Sequence, residues 1–399
     1  MADHLHHKEI IRVVEQCQVS APSGSVPSTC LPLTFYDIPW IPCHPIQRIF
    51  FYDSPHPTHH FLHTLLPTLK HSLSLTLQHF FPFAANLVVP PQYHLHHPYI
   101  LYHESDSIPF TVAESTADFN RLISHSPKNV SDLHPFVPAL PPPRTSEDGT
   151  RFVPLMAIQL TLVPNSGFCI CVTYAHVAAD GAALHHFMKF WGSVCKAGGD
   201  LNSLGPSLPL PCHNRELVHD PKGIKLVYLE FLKDLVWEPR ESLHVDKVRA
   251  TFVLSRDQIE KLKKWRGQLV GENGFMEAVN CIESGVRDVK SDVLGGAETF
   301  FSRFLIKVAT SSEPLVGIAG SPKLSVYETD FGWGKPKQSD VVHIDSSDFV
   351  SLSDSSEGGS HRQCSNEWLA LPSLPILGAT VAVRTRGLKT PASARVVMA

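Results

Sequence analysis

Residues 151–195 read RFVPLMAIQLTLVPNSGFCICVTYAHVAADGAALHHFMKFWGSVC, and this stretch decides the fold. Two apolar runs flank the turn Pro164-Asn165-Ser166-Gly167, a pattern that predicts a buried antiparallel hairpin. Beyond the second run, apolar residues recur at helical spacing. The stretch therefore predicts that His176 lies at a strand end and that Asp180 opens a helix.

Three segments outside this stretch carry further structural predictions. Leucine and phenylalanine residues recur every three or four positions between Phe61 and Phe81, which predicts an amphipathic helix. Residues 46–53 (IQRIFFYD) are rich in β-branched and aromatic side chains and predict a strand. Residues 323–327 (KLSVY) predict another short strand.

A histidine at a strand end suits acid–base chemistry on a hydroxyl group. An alcohol is a weak nucleophile until a base removes its proton, and imidazole has a pKa suited to this near neutral pH. We therefore predict that His176 is a catalytic base. The five-residue pattern His-x-x-x-Asp alone is weak, since the chain has 24 histidines, and a purely structural role stays the commoner interpretation of the motif in isolation.

A second motif, DFGWGKP, spans Asp330 to Pro336. Two glycines around a tryptophan indicate a tight loop in which the indole ring is a packed anchor. Taken alone, such a motif is more often structural than catalytic.

Composition excludes several classes of function. The 399 residues predict two domains, and 34 basic against 38 acidic residues make neither a nucleic acid nor an anionic membrane an expected partner. Nine scattered cysteines without a CxxC pair, together with an N-terminus that lacks an apolar signal region, predict a cytoplasmic protein. The longest apolar stretch near the end, 368–383, is interrupted by Pro372 and Pro375 and is too short to span a membrane.

Clusters of histidines raise the question of a metal site. No cysteine or carboxylate stands beside them at metal-ligand spacing, so we predict solvated surface histidines and no metal. The clusters are His4/His6/His7, His59/His60/His63 and His94/His96/His97.

The two motifs, in this order, resemble the BAHD acyltransferases of plants. The segments LTFYDIPW (33–40), LKHSLS (69–74) and GSPK (320–323) also look like that family. The resemblance covers roughly residues 5–265 and 270–357, and it is strongest to the branch that transfers malonyl or aromatic acyl groups to phenolic glucosides and anthocyanins.

The resemblance implies an α/β fold of two chloramphenicol-acetyltransferase-like domains with a channel between them, the second domain incomplete. An acyl-coenzyme A, malonyl-coenzyme A first among the candidates, is the co-substrate, a phenolic glycoside is the acceptor, and no cofactor is bound. The protein is expected to be a monomer. The implied catalytic base is His176. The implied structural support of the site is Asp180, Gly181, Asp330, Gly332, Trp333 and Gly334. The implied channel-lining residues are Thr34, Phe35, Tyr36 and Trp40.

The domain prediction has four parts. Residues 1–195 form the domain with the HxxxD motif, 196–222 a linker, 223–359 a partial second domain with the DFGWG motif, and 360–399 an atypical, poorly ordered tail.

The chain departs from the family at two places. After Trp265 it lacks a long segment that in relatives carries a Tyr-Phe-Gly-Asn-Cys motif and an arginine that pairs with the DFGWG acid. The resemblance also stops near Gly359, and both breaks suggest an altered splice form or a frame-shifted gene model. The alternative to an active enzyme is thus a truncated, weak or inactive relative that only binds ligands.

Overall fold

The computed structural model describes residues 11–54, 57–92, 96–204, 209–233, 247–254, 257, 274–303, 317–343, 349–354 and 378–384. These residues form two compact units. Unit 1 draws its described residues from Met1–Ser124, Ser131–Glu241 and Tyr327–His343. Unit 2 draws them from His125–Val130, Ser242–Val326 and Ile344–Ala399.

Groups of consecutive strands are separated by helices along the chain, which gives a mixed α/β architecture. The strands are β1 Ile11–Ser20, β2 Thr29–Pro32, β3 Ile46–Asp53, β4 Asn86–Val89, β5 Tyr99–Tyr102, β6 Ser107–Ser115, β7 Lys128–Asn129, β8 Arg144–Thr145, β9 Arg151–Pro154, β10 Met156–Val163, β11 Gly167–Tyr174, β12 Lys247–Val253, β13 Gly317–Gly320, β14 Gln338–Val341, β15 Phe349–Ser353 and β16 Gly378–Arg384. The helices are α1 Thr58–His60, α2 Leu66–Leu77, α3 Phe119–Ile123, α4 Gly181–Lys196, α5 Ile224–Leu232 and α6 Gly274–Ser291.

The larger sheet of unit 1 contains the predicted hairpin at its centre. Its strand order is β1-β6-β10-β11-β3-β14. Strands β10 and β11 pair antiparallel from Met156↔Tyr174 to Val163↔Gly167, and every residue of both strands is buried. Asn165 in the turn has a positive φ of 61°. The hairpin prediction and the strand prediction for 46–53 are confirmed.

Strand β14 joins this sheet from far along the chain. It pairs antiparallel with β3, from Gln338↔Phe51 to Val341↔Arg48. A second sheet of unit 1 has the order β2-β5-β4-β9-β8.

Helices α2 and α4 pack against each other in unit 1. Trp191 of α4 is fully buried, and its indole N–H donates to the Leu69 carbonyl and to the Ser72 hydroxyl, both at 3.1 Å. The predicted helix between Phe61 and Phe81 is confirmed in its main part, α2. It is preceded by α1 and a π-turn at Phe61–Leu65, just before Pro67, which cannot donate a backbone hydrogen bond.

Unit 2 contains a sheet of order β13-β15-β16-β12-β7. Strand β16 pairs antiparallel with β12 and with β15. Strand β16 lies within the segment predicted to be a poorly ordered tail, and Thr380, Val381 and Val383 favour an extended chain there. The tail as a whole stays a prediction. The rest of the 360–399 segment, and the departures at Trp265 and Gly359, lie outside the described residues.

The strand predicted at 323–327 is wrong. This segment forms two short 3-10 turns, Pro322–Leu324 and Val326–Glu328. Ser325 between them has φ 50° and ψ 54°, a left-handed conformation that interrupts an extended chain.

The DFGWG segment folds into unit 1, although the sequence predicts a place for it in the second domain. Residues 327–343 bring the motif and then β14 to the sheet that carries His176. The predicted linker overlaps residues 205–208, which lie outside the described part, so the domain boundaries stay predictions. Among the helices that the structure describes, none is long and apolar enough to cross a membrane.

Candidate active site

His176 lies in the turn between the central strand β11 and helix α4. The residues His176–Ala178 form one 3-10 turn, and Asp180 follows as the N-cap of α4 with an extended backbone. The Asp180 Oδ1 atom accepts a hydrogen bond from the Ala183 backbone N–H at 2.8 Å. The Asp180 carboxylate therefore caps the N-terminus of α4, whose first residue is Gly181. The prediction that Asp180 opens a helix is confirmed.

We expect Asp180→Ala to lower the free energy of unfolding by about 0.5–2 kcal/mol, because the α4 N-cap is lost. Asp180→Asn keeps an oxygen that can accept the same hydrogen bond, so we expect it to stay near wild type. Urea denaturation of both variants measures the difference. Equal destabilisation by the two substitutions would mean that the charge of Asp180, and not its capping oxygen, is what matters.

The imidazole of His176 is stacked on the indole of Trp40. The ring centroids lie 4.0 Å apart and the ring planes differ by 8°. The Tyr174 ring lies further away, at 6.5 Å. His176 is half-buried, and Trp40 keeps 42% of its surface exposed.

Burial lowers the pKa of His176 below its usual 6.5, only partly opposed by the carbonyl groups of His176 itself and Ala179 and by the Asp180 carboxylate. The ring is therefore neutral at pH 7 and able to accept a proton. The buried Nδ1 makes no hydrogen bond of good geometry. We assign the proton of the neutral ring to the buried Nδ1, which leaves the lone pair on Nε2.

Trp40 comes from the turn that the sequence predicted as a channel wall. The Asp37 Oδ2 atom accepts hydrogen bonds from the backbone N–H and the hydroxyl of Thr34, at 2.7 and 2.8 Å. Arg215 forms an ion pair with Asp37 at 3.2 Å. Thr34 and Phe35 are buried, whereas Tyr36 is 51% exposed. Tyr36 and Trp40 thus present surface, and the other two pack inside.

The DFGWG loop is organised around Asp330. Its Oδ1 atom accepts hydrogen bonds from the backbone N–H groups of Gly332 at 2.8 Å and Gly334 at 3.0 Å. Its Oδ2 atom accepts from Lys196 Nζ at 2.7 Å. Both glycines have φ near 110°, a conformation that favours glycine. Burial acts to raise the pKa of Asp330, but these hydrogen bonds outweigh it and the pKa is lowered.

Aromatic side chains fix this loop against the last turns of α4. Phe331 is buried and meets Trp191 edge-on at 4.9 Å between centroids, and it stacks on Trp333 at 5.9 Å. Gly192 allows the close approach, since a Cβ there would lie 2.9 Å from the Asp330 carbonyl oxygen. Neither Lys196 nor Gly192 is predicted as a partner of the motif, because no local pattern relates them to residues 330–334.

The two motifs occupy opposite ends of one helix. Asp180 caps the start of α4, and Lys196 is its last residue. Sixteen residues of α-helix extend about 24 Å, so the DFGWG loop lies too far from the His176 turn to touch reacting atoms there. Helix α4 therefore connects the turn that contains His176 to a loop that is held by packing.

Three comparisons place the chain among known proteins. A family model described as "Transferase family" matches residues 13–274. The chain is 34% identical to a coumaroyl-CoA:anthocyanidin 3-O-glucoside-6''-O-coumaroyltransferase 1 of Arabidopsis thaliana, covering 88% of this chain and 93% of the relative. It is 32% identical to phenolic glucoside malonyltransferase 1 of Nicotiana tabacum, covering 85% and 91%. The solved structure of vinorine synthase matches with a TM-score of 0.58 at 16% identity, over 94% of each chain.

Fold and comparisons define an enzyme class, the acyltransferases that use acyl-coenzyme A. Within it, the chain belongs to the Transferase family of BAHD acyltransferases. The predicted family, the predicted fold class and the acyl-coenzyme A co-substrate are confirmed.

Proposed function

We propose that this chain transfers a malonyl or hydroxycinnamoyl group from acyl-coenzyme A to a hydroxyl of a phenolic or flavonoid glycoside, with His176 as the general base. The observation that carries the proposal is the position of His176 directly after a buried strand, stacked on Trp40, where burial lowers the pKa of its imidazole. The names of two relatives, one acting on an anthocyanidin glucoside and one on phenolic glucosides, support the acceptor class.

The chemistry needs one base that both takes and returns a proton. As the acceptor oxygen attacks the thioester carbonyl, its proton passes to Nε2 of His176. The tetrahedral intermediate collapses, the carbon–sulfur bond breaks, and the proton leaves the imidazolium for the departing thiolate. An ester and free coenzyme A result, and His176 is neutral again.

The other site residues take supporting roles in this proposal. Asp180 and Gly181 fix the turn that carries the base, and Asp330, Gly332, Trp333 and Gly334 stabilise the distal end of α4. The half-exposed rings of Tyr36 and Trp40 suit an aromatic acceptor or acyl group.

We also propose a cytoplasmic monomer. The cysteines whose side chains are described are free thiols, which supports a reducing compartment. Size-exclusion chromatography with light scattering tests the monomer, with a mass near 44.2 kDa as the expected result.

The decisive experiment pairs two donors with a set of acceptors. Malonyl-coenzyme A and coumaroyl-coenzyme A are each incubated with phenolic glucosides and anthocyanidin glucosides, and the ester product is identified by mass spectrometry. Transfer from one donor that is absent in His176→Ala supports the proposal and identifies the acyl group.

One observation favours the alternative, a truncated relative that only binds ligands. The alignment with the Arabidopsis relative runs over 444 positions while taking in 88% of this 399-residue chain, so that relative has positions this chain lacks. Coenzyme A binding measured by calorimetry, without transfer to any acceptor, would decide for this alternative.

We expect the acid limb of the kcat/KM profile to lie below pH 6.5. Only the neutral imidazole can accept the proton, and burial lowers the pKa of His176, so protonation abolishes activity only at more acidic pH. Initial rates between pH 4.5 and pH 8, with the protein checked for folding by circular dichroism at each pH, measure the limb. A limb centred above pH 6.5 would contradict a desolvated base.

A further inference from the structure

Among the described residues, none makes a hydrogen bond of good geometry with the buried Nδ1 of His176 that would orient the ring. The nearby Asp180 carboxylate accepts from the Ala183 backbone N–H. The torsion that turns an imidazole about its Cβ–Cγ bond has broad minima. Another contact must therefore fix the plane of this ring if Nε2 is to meet an acceptor hydroxyl reproducibly.

The indole of Trp40 provides that contact. The two rings are nearly parallel at 4.0 Å, which is the van der Waals separation of two stacked rings. Rotation of the imidazole out of this plane would drive its edge into the indole face. The stack therefore restricts the ring to a single plane, and it also shields one face of the imidazole from water.

Contacts with other parts of unit 1 hold the turn that carries Trp40 in place. Trp40 ends the 3-10 turn Ile38–Trp40, whose first residue is fully buried and whose N-cap is Asp37. Asp37 is fixed by two hydrogen bonds from Thr34 and by the ion pair with Arg215. This arrangement anchors the backbone of the turn that carries the indole through groups that are themselves largely buried.

We propose that Trp40 is the positioning residue for the base: its indole face sets the plane of the His176 imidazole, in which the Nε2 lone pair lies. This inference rests on the proposed function and deepens it. A residue that only lines a substrate channel would contact the acceptor and leave the geometry of the base unchanged. The stack predicts the opposite, an effect on His176 in the absence of any substrate.

The titratable groups that face His176 in the described part of unit 1 are Asp180 on its own turn and Tyr174 at the end of β11. On the other side of the ring, the packed turn contributes Trp40, which does not titrate. Removing the indole would admit water to the imidazole while leaving Asp180 and Tyr174 in place. The pKa of His176 should then rise toward its ordinary value.

The first test is spectroscopic and needs no activity. Protein labelled with 13C at the histidine Cε1 atoms is titrated by NMR, and the His176 signal is assigned by its loss in His176→Ala. In Trp40→Leu we expect this signal to move downfield, because the ring current of the indole is gone, and to titrate at higher pH. Trp40→Phe keeps a smaller stacked ring, so an intermediate shift is expected.

Tyr36→Leu is the matched control. Tyr36 is also an exposed aromatic residue near this turn, but its ring contacts that of Phe35, tilted by 34°, and not that of His176. We expect the His176 signal in this variant to keep its wild-type position and titration. Equal shifts in Tyr36→Leu and Trp40→Leu, or no shift in Trp40→Leu, would overturn the proposal.

The second test separates positioning from lining in the kinetics. A misplaced base costs about 10²-fold, so Trp40→Leu should lower kcat by that factor, and Trp40→Phe by no more than about tenfold. A raised KM with unchanged kcat would instead identify a lining residue. If the wild-type protein transfers no acyl group, the proposed function fails, whereas the NMR comparison still decides whether Trp40 holds the ring. If Trp40→Leu does not fold, both the NMR titration and the kinetics are measured on Trp40→Phe.

Discussion

Replacing His176 by alanine is expected to lower kcat/KM for acyl transfer by about 10²–10⁴-fold, the contribution of a positioned general base. The loss should appear in kcat, because the imidazole acts on the proton in the transition state and is not needed to hold coenzyme A. Stopped assays with malonyl- or coumaroyl-coenzyme A measure it. The stability of the variant should be nearly unchanged, since His176 is half-buried and its Nδ1 makes no well-formed hydrogen bond.

His103→Ala is the matched control for this variant. His103 is an exposed histidine of the turn after β5, and its backbone N–H, which donates to Asp106, is kept in alanine. We expect wild-type rates from it. A His176→Ala variant that retains more than a tenth of wild-type kcat would exclude the imidazole as the base.

The second large effect concerns stability. Phe331→Ala is expected to lower the free energy of unfolding by about 3–5 kcal/mol, because a fully buried ring is replaced by a cavity. The lost ring is the one that meets Trp191 and Tyr52 edge-on and stacks on Trp333. Urea denaturation followed by tryptophan fluorescence measures this change in the free energy of unfolding, since Trp191 and Trp333 both lie in this cluster.

Phe331→Leu fills most of the same space and should cost roughly half as much or less. Because the DFGWG loop lies at the far end of α4, folded Phe331→Leu protein should keep a kcat near that of the wild type. A cost below about 1 kcal/mol for Phe331→Ala would mean that the loop is not part of the unit 1 core. A large loss of kcat in folded Phe331→Leu protein would instead bring the loop into the chemistry.

Local patterns in the sequence predict much of unit 1. The β10/β11 hairpin follows from two apolar runs around a turn that contains Asn165, and α4 follows from its helical spacing with Asp180 as the cap. These features depend on residues close together in the sequence, within about one helical turn or one strand. A local sequence pattern includes those residues. The same reasoning fails at residues 323–327, where apolar and β-branched residues suggested a strand but Ser325 adopts a left-handed conformation.

The contacts that give the site its geometry join distant parts of the chain. Trp40 reaches His176, Arg215 reaches Asp37, and Lys196 reaches Asp330. No spacing rule relates such pairs, because tertiary packing brings them together. The family resemblance predicted an arginine as the partner of the DFGWG acid, whereas in the described structure Lys196 at the end of α4 forms the ion pair with Asp330.

The pairing of β3 with β14 has a consequence for how this protein is made. Residues 46–53 leave the ribosome long before residues 338–341, and at about 5–20 residues per second the delay is on the order of tens of seconds. During that time one edge of the nascent sheet, with the apolar residues Ile49, Phe50 and Phe51, has no partner strand from this chain. An open apolar edge invites pairing with other chains. Slow translation should therefore lower the yield of folded protein, and a chaperone that covers this edge should raise it.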